Sequence, residues 1–526
     1  MRDLNSSPAL ARRLQKWGDS TSPMLSLRRI LLTCLTLGTL AAATAQNAPA
    51  NAGSREKITL DDAIRRAIAK NFTIQSDGLD VSIAKARVLE QFGIFDPQLT
   101  AKYTRAENEN PLQTFNSTTG LRNFTTDKSD SYDLSLGGTL PWGLTYSLGA
   151  TQTNSRGSFN SFADTYDTFA GVSARQPLLR GFGFGATTAQ LRLAMTSRDI
   201  SEWQFRASVI NTITSVIFAY YDLSFAQGNL RSAIRFRDLA AQLLDENQKR
   251  FKVGAMSEYD VTSARARVAM REEGIFSAQR FVDNAENALK ALISDEKSTR
   301  LLDWHLDIEL PTTLPVAVVN TALDFQEALK KRPDYQQAQL NLKRTDINYR
   351  YQRNQMLPRV DLVGSYGYNG LDKDRETAQR LVRNEDFRSF TYGVQVTVPL
   401  TFTAERGRYR QAKFARRQAE IDLEQTEQTI VVSVGNAAGN IETTRKRVEA
   451  ARAARQLAQQ VLEDEQKRLR AGTSSTFFVL QEQEIVASLE VSELRAESDY
   501  RRAVAEYDRQ LGITLEKLNI SVAAPK

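Results

Sequence analysis

Two residue types that most readily mark a chemistry are nearly absent from this chain. Of its 526 residues one is cysteine, Cys34, and one is histidine, His305. A single thiol forms no internal disulfide and no thiolate metal cage, so stability has to come from packing or association. The lone imidazole, between Trp304 and Leu306, has no partners at metal-ligand spacing. No Ser/His/Asp set, cysteine nucleophile or phosphate-binding loop is legible, and no pair of carboxylates is singled out for acid/base work. Neither a catalytic function nor a cofactor is expected. Beyond the first 45 residues there is also no apolar run of about 18 residues, which excludes a spanning helix. If the chain enters a membrane, it has to do so as a closed β-barrel.

The apolar run that does exist lies at the beginning. Arg28 and Arg29 precede LLTCLTLGTLAAA, and Ala43-Thr44-Ala45 offers a small-x-small cleavage site before Gln46. This layout predicts a cleaved secretory signal peptide over 1–45. A lipoprotein reading of LLTC is the weaker one, because Cys34 lies in mid-run and Thr33 is larger than such sites prefer. Cleavage removes six basic and two acidic residues. It leaves 63 basic against 60 acidic, a net charge of +3 in place of +7. The basic pI of about 9.2 is then largely a leader effect, and nucleic-acid binding loses its main argument.

What remains is written twice. QKRFKVGAMSEYDVTSARARVA at 248–269 returns as QKRLRAGTSSTFFVLQEQEIVA at 466–487. ITLDDAIRRAIAKNFTIQ (58–75) corresponds to VNTALDFQEALKKRPDYQ (319–336) at an offset of 261, and GVSARQPLL (171–179) to GVQVTVPLT (393–401) at an offset of 222. The difference of 39 residues is an insertion in the first copy, in the Gly/Ser/Asn-rich region around 106–165. The expected organisation is repeat one over 46–317, repeat two over 318–518 and a tail over 519–526. Strands fall at 97–179 and 358–400, and helical hairpins turn near Gly254 and Gly472.

Period-two alternation marks the strands. Phe390, Tyr392, Val394, Val396 and Val398 oppose Thr391, Gly393, Gln395 and Thr397; Leu99, Ala101 and Tyr103 oppose Thr100, Lys102 and Thr104. Within the insertion, Tyr132, Leu134, Leu136 and Leu140 precede Pro141-Trp142-Gly143, and Leu144, Tyr146, Leu148 and Ala150 follow it. Segments of about ten residues with one apolar and one polar face suit an outer-membrane barrel or a sandwich edge; the export signal favours the barrel. Two stretches, 186–253 and 405–470, run almost without proline and predict helices of about 100 Å. Along the second, Val448, Ala451, Ala454, Ala458, Val461, Leu462 and Leu469 form a narrow stripe that suits close helix packing. Return helices over 256–293 and 474–511 span about half that length. The short helices at 59–93 and 324–356 are sized to stack end-on and complete two composite rods.

This order, repeated, resembles the TolC family of outer-membrane efflux and secretion channels. The resemblance covers essentially the whole chain after the leader. It rests on ITLDDAIRRAIAKN, the repeated strand-end Pro-Leu and the glycine turns KVGAMSEYDV and RAGTSSTFFVL. It implies an α+β membrane protein: a homotrimer sharing one β-barrel in outer-membrane lipid, continued by a coiled-coil-like helical tunnel across the periplasm. It also implies two protein partners, a periplasmic adaptor and an inner-membrane transporter. The tips around Val253, Gly254, Ala255, Ala471, Gly472 and Thr473 are expected to meet the adaptor. Asp260 matches a tip aspartate that links hairpins in the closed state of relatives. The family's tyrosine and arginine partners fall on Leu469 and Ser474, so Arg468 or Arg470 would have to substitute. Its aperture aspartates fall on Phe478 and Gln481, near Glu482 and Glu484. Pro177, Gly181, Gly183 and Pro399 are expected at the transition from barrel to tunnel; a dinucleotide reading of Gly181-x-Gly183-x-x-Ala186 lacks the βαβ context it needs. Four strands per chain would give twelve in a trimer. The LPWG hairpin either adds two per chain, for eighteen, or projects outward, and the second arrangement is the one expected here. The expected function is passive conduction in a tripartite efflux or type I secretion system. A periplasmic coiled-coil scaffold or adaptor is the alternative.

Overall fold

The computed structural model describes residues 55–115, 122–309, 313–315 and 319–521. The leader, its cleavage site and Cys34 lie outside them, as do residues 522–526 of the tail. The first described element is a short strand, β1 (Glu56–Ile58), followed by helices α1 (Leu60–Lys70) and α2 (Phe72–Phe92). Thr59 caps α1 by accepting from the Asp62 amide. Asn71 both ends α1 and caps α2, accepting from the amides of Thr73 and Ile74. Its amide nitrogen also donates to the Leu292 carbonyl at 2.9 Å, which fixes the bend between the two helices. In the second copy the bend between α7 (Thr321–Lys331) and α8 (Pro333–Gln355) falls at Arg332, with Pro333 preset for the first helical turn. The Arg332 guanidinium donates to Ser433 Oγ at 2.9 Å and to the Gln510 carbonyl at 3.1 Å, anchoring that bend to the long helices.

The long helices are α4 (Ala189–Lys252, 64 residues) and α10 (Thr403–Arg470, 68 residues), about 96 and 102 Å at ~1.5 Å per residue. Each is followed by a return helix of 36 residues, α5 (Glu258–Ile293) and α11 (Thr476–Leu511). Single-turn helices α3 (Phe184–Thr187), α6 (Arg300–Asp303) and α12 (Thr514–Lys517) lie before α4, after α5 and after α11. The shorter partners cover successive lengths of the long ones. Against α10, Tyr335 of α8 donates to Glu427 at 2.8 Å, and the Tyr349 and Tyr409 hydroxyls meet at 3.1 Å. Farther along, α11 takes over, with Arg452 reaching Glu497 at 2.8 Å. The same division holds on α4, where Asp77 of α2 accepts from Ser208 and α5 covers the rest. The α4 core contains Ile213, Val216, Tyr220 and Leu223, all buried against Ile64, Leu289 and Ile293. An 18-residue window of α4 is apolar enough to cross a membrane, but 61% of it is buried inside the protein. It is a core helix. A parallel strand pair, β1 with β6 (Leu306–Ile308), lies beside this core, where Tyr220 donates to the carbonyl of Glu309 at 2.6 Å. His305 sits next to β6, its Nδ1 3.5 Å from Glu286.

The remaining strands form one six-stranded antiparallel sheet in the order β2-β3-β4-β5-β7-β8. They are β2 (Gln98–Phe115), β3 (Arg122–Thr139), β4 (Thr145–Gly157), β5 (Thr165–Pro177), β7 (Arg359–Asp372) and β8 (Phe387–Thr397). The register aligns Leu99, Leu136, Leu148, Val172, Tyr366 and Phe390 on one face. Tyr392 is 81% exposed and Leu99 72%, so this face is open apolar surface. The opposite face carries Thr100, Ser135, Gly149, Gly171, Gly367 and Ser389 in one row. Alternation therefore identifies the two faces of β2, β3, β4 and β8 correctly.

The outward-projecting reading of the LPWG hairpin does not hold. β3 and β4 pair with their neighbours over their full lengths, and their 140–144 turn lies at the end of the sheet nearest the helices. There the Trp142 carbonyl accepts from the Gly183 amide at 3.1 Å. The insertion supplies two complete strands of the wall. The physical reason is hydrogen bonding: within the sheet β3 and β4 are paired on both sides, which satisfies backbone groups that a hairpin projecting from the membrane would leave to water.

The glycine row shows which face is the tighter one. A Cβ at Gly149, Gly171 or Gly367 would come within 3.1, 2.5 or 2.5 Å of a backbone carbonyl on the adjoining strand. The polar face is therefore the crowded, inward-curving side. Gly171→Val is expected to cost about 3 kcal/mol or more by overpacking and to abolish the compact species that wild type should give on unheated SDS gels. Gly364→Ala, whose added Cβ meets nothing nearer than 3.6 Å, should keep that species.

Candidate functional site at the hairpin tips and the barrel neck

Both hairpins reverse through the same backbone device. After α4, the Gly254 amide donates to the Phe251 carbonyl and the Ala255 amide to Arg250, both at 2.9 Å, with Gly254 at φ +76°. After α10, Gly472 donates to Leu469 at 3.2 Å and Thr473 to Arg468 at 3.0 Å, with Gly472 at φ +77°. Bonds from the two residues after the helix back into its last turn, through a left-handed glycine, close the helix with few orphaned carbonyls. The repeated phrase thus writes a repeated turn. Val253, Ala255, Ala471 and Thr473 flank the two glycines, and Val253 is 77% exposed. Hydrogen bonding to Asp245 and to Asp464 raises the pKa values of Lys249 and Lys467, one beside each tip.

The tip charges are engaged locally. Asp260 accepts from Ser257 Oγ at 2.5 Å while its own amide donates back to that oxygen, so it completes the cap of α5. Arg468 pairs with Glu465 at 3.0 Å, one turn away on its own helix. Arg470 and Glu482 have no ion-pair partner, and Gln481 no side-chain hydrogen bond, among the described residues; Phe478 stacks edge-on against Phe477.

The link between the two hairpins lies farther from the tip. Glu484 of α11 receives Arg271 at 2.8 Å and Arg267 at 3.5 Å, both from α5. Six residues on, Glu490 takes Arg235 and Ser232 of α4. Between them runs an apolar seam of Phe236, Leu243, Leu462, Leu469, Val479 and Val486. Leu469, which replaces the family's tyrosine, is therefore a core residue here. Sequence reasoning noted Glu484 only as a neighbour of the aperture positions and missed both arginines, which are over 200 residues away in the chain. Their i, i+4 spacing on α5 is the one local signal that they share a face.

At the neck, the expected transition residues lie together. Pro177 ends β5, Gly181 and Gly183 take φ +82° and +83°, and Pro399 follows β8. A Cβ at Gly143 would fall 2.8 Å from the Gly181 carbonyl. Asn354 and Gln355, at the end of α8, accept from the Gly181 amide at 2.8 Å and from Arg180 Nε at 2.9 Å. They join the two copies at this level, and sequence reasoning did not find them. On the polar face just above, Asp361 is fully buried between Arg175 Nε at 2.8 Å and Arg359 Nε at 3.1 Å.

Comparison with known proteins agrees with this geometry. The family model described as outer membrane efflux protein matches residues 140–294 and 325–512. Outer membrane protein TolC of Vibrio cholerae is 25% identical over 329 residues, covering 60% of this chain and 70% of that one. Its Escherichia coli counterpart is 24% identical over 360 residues, covering 61% and 72%. Among solved structures, the Campylobacter jejuni CmeC outer membrane channel superposes with a TM-score of 0.65 at 17% identity, covering 86% of each chain. The open state of the Neisseria gonorrhoeae MtrE outer membrane channel gives 0.61 at 18%, covering 87% of this chain and 89% of that one. With a family match in both halves and the fold shared over most of its length, the chain belongs to the outer membrane efflux protein family.

Proposed function

We propose that three copies of this chain form one conduit that carries substrates passively from a periplasmic adaptor and an inner-membrane transporter to the exterior. The observation that carries this reading is the continuity of a two-faced sheet with paired helices of about 100 Å. The first is suited to a bilayer and the second to crossing the space beneath it. No nucleotide site is legible in the sequence, so the driving energy comes from the transporter.

Two further features support association. The outer edges of β2 and β8 have no strand partner among the described residues. β2 leads away from the helices and β8 back toward them, so β8 of one copy meets β2 of the next in antiparallel sense. Three copies then give eighteen strands and, at ~4.8 Å spacing and ~40° tilt, a backbone diameter of about 36 Å. The helices also expose large apolar side chains, including Leu79, Ile83 and Leu89 on α2 and Phe414, Ile421 and Val431 on α10. These suit the faces between copies. The tips at Val253–Ala255 and Ala471–Thr473 are the surface offered to the adaptor.

For the gate, the favoured element is the Arg267/Arg271–Glu484 clamp, with Asp260 acting as a helix cap. Glu484 is 51% exposed, so its pairs are screened and each chain gains about 0.5–1 kcal/mol. Three clamps released together would move the open–closed ratio by about 10- to 100-fold.

Planar-bilayer recording of the purified protein is the direct test. Wild type should insert and show small, flickering conductance; well-folded protein that never inserts would refute the reading. Glu484→Gln should raise the open probability about 10-fold or more, and Asp260→Asn should raise it less. Raising KCl from 0.1 to 1 M should open wild type more than Glu484→Gln, because screening weakens only an intact ion pair. Equal responses would remove the clamp from the gate.

A further inference from the structure

The loop between β7 and β8 holds a short helix, α9 (Arg375–Arg383), that no reading so far has used. Asp374 caps it by accepting from the Thr377 amide. It lies on the apolar face of the sheet, at the end away from the helices. Gly370, which shares that face with Tyr366 and Tyr368, abuts it so closely that a Cβ there would collide with the Ala378 carbonyl. Gln152 accepts from Arg375 Nε at 3.1 Å and from Gln379 Nε2 at 3.2 Å. The helix therefore covers the far ends of β4, β5 and β7 and stops short of β2 and β3.

Where it stops, a cavity of about 780 Å³ opens. The register explains it. Ala101, Leu134, Ala150 and Ala170 form one row across four strands, three of them alanine. The row on the helix side is Leu99, Leu136, Leu148 and Val172; the row beyond is Tyr103, Tyr132, Gln152 and Thr168. Small side chains between two larger rows leave an apolar trough. Tyr103 and Tyr132, with ring centroids 4.9 Å apart, stand at its outer side, and Val382 and Arg383 overhang it.

Charge distinguishes this rim from the rest of the sheet end. On the same face, Arg156 is paired with Asp130 at 2.8 Å and Lys128 with Glu107 at 2.5 Å. Arg375, Arg380, Arg383 and Arg388 have no ion-pair partner among the described residues. Of the nearby acids, Asp374 is taken by the cap and Glu385 accepts from Tyr368 at 2.8 Å, while Asp372, Glu376 and Asp386 also form no ion pair among the described residues; Arg383 is the one charge of this loop that lines the trough. An unpaired guanidinium overhanging an apolar trough, beside the Tyr103–Tyr132 pair, matches a ligand with an anionic head and a hydrocarbon tail.

We propose that the Ala101–Ala150–Ala170 trough and Arg383 bind an acylated lipid of the outer leaflet whose phosphate head is net anionic, one per chain. The tail lies over the alanines and a phosphate oxygen accepts from the guanidinium. The proposal rests on the apolar face being the membrane face, so lipid retention is read on the same preparation whose conductance is recorded. Detergent-solubilised protein is incubated with diphosphoryl lipid A or with phosphatidylcholine and examined by native mass spectrometry. Wild type should retain lipid A at up to one molecule per chain and lose phosphatidylcholine. Arg383→Gln should weaken retention about 10-fold, and Ala150→Phe, which fills the trough, should abolish it, with conductance unchanged in both. Equal lipid A retention by wild type and Arg383→Gln, or equal retention of the two lipids, would overturn the proposal. Failure of wild type to insert would instead contradict the channel reading.

Discussion

A strand edge cannot be left bare in hydrocarbon. Each unpaired amide or carbonyl there forgoes both water and a protein partner, at a cost of several kcal/mol per group. Among the described residues the six-stranded sheet has two such edges, β2 and β8, and the proposed assembly pairs them with each other. Much else follows from that requirement. It explains why the inserted hairpin pairs along its full length and why the proposed assembly closes on itself. The glycine row at 149, 171 and 367 belongs to the same account, because a sheet that closes has to curve, and at these three positions the inner side of that curve has no room for a Cβ.

Beneath the sheet the demands change from backbone satisfaction to length. Helices of 64 and 68 residues are not stable by propensity alone and need a packed face along their whole extent. The chain meets this by laying two shorter helices along each long one. The bends are held by Asn71 in one copy and Arg332 in the other, different residues at the same point. The chemistry between hairpins is weaker where it is exposed: Glu484, half open to water, is reached by arginines from the other hairpin across an apolar seam and is near enough to water to be released, whereas Glu490 is held more deeply. Cohesion is greatest along the long rods and least toward the tips. That gradient suits a conduit whose lower end opens.

The sequence disclosed what is local. The glycine turns were legible because four or five consecutive residues specify a left-handed close to a helix, and the phrase occurs twice. The strand faces were legible because alternation is a property of each strand alone. What failed was information carried between distant residues. Alternation around LPWG shows two strands but not which end of the sheet their turn occupies; contacts of Trp142 and Gly143 with Gly181 and Gly183 decide that. The expected tip lock was sought at positions inherited from relatives, where Leu469 is now core and Asp260 caps its own helix. The clamp at Arg267, Arg271 and Glu484 needs two hairpins side by side before it exists. Asn354 at the neck and the alanine row beneath α9 are likewise invisible until register is known.

The central claim is that the membrane wall is built from six strands of every chain. Electron cryo-microscopy of the purified protein in nanodiscs counts them directly. The account predicts eighteen strands closed around one lumen, with the Trp142 turn at the tunnel end. A twelve-stranded barrel, with β3 and β4 folded away from the wall, would contradict it.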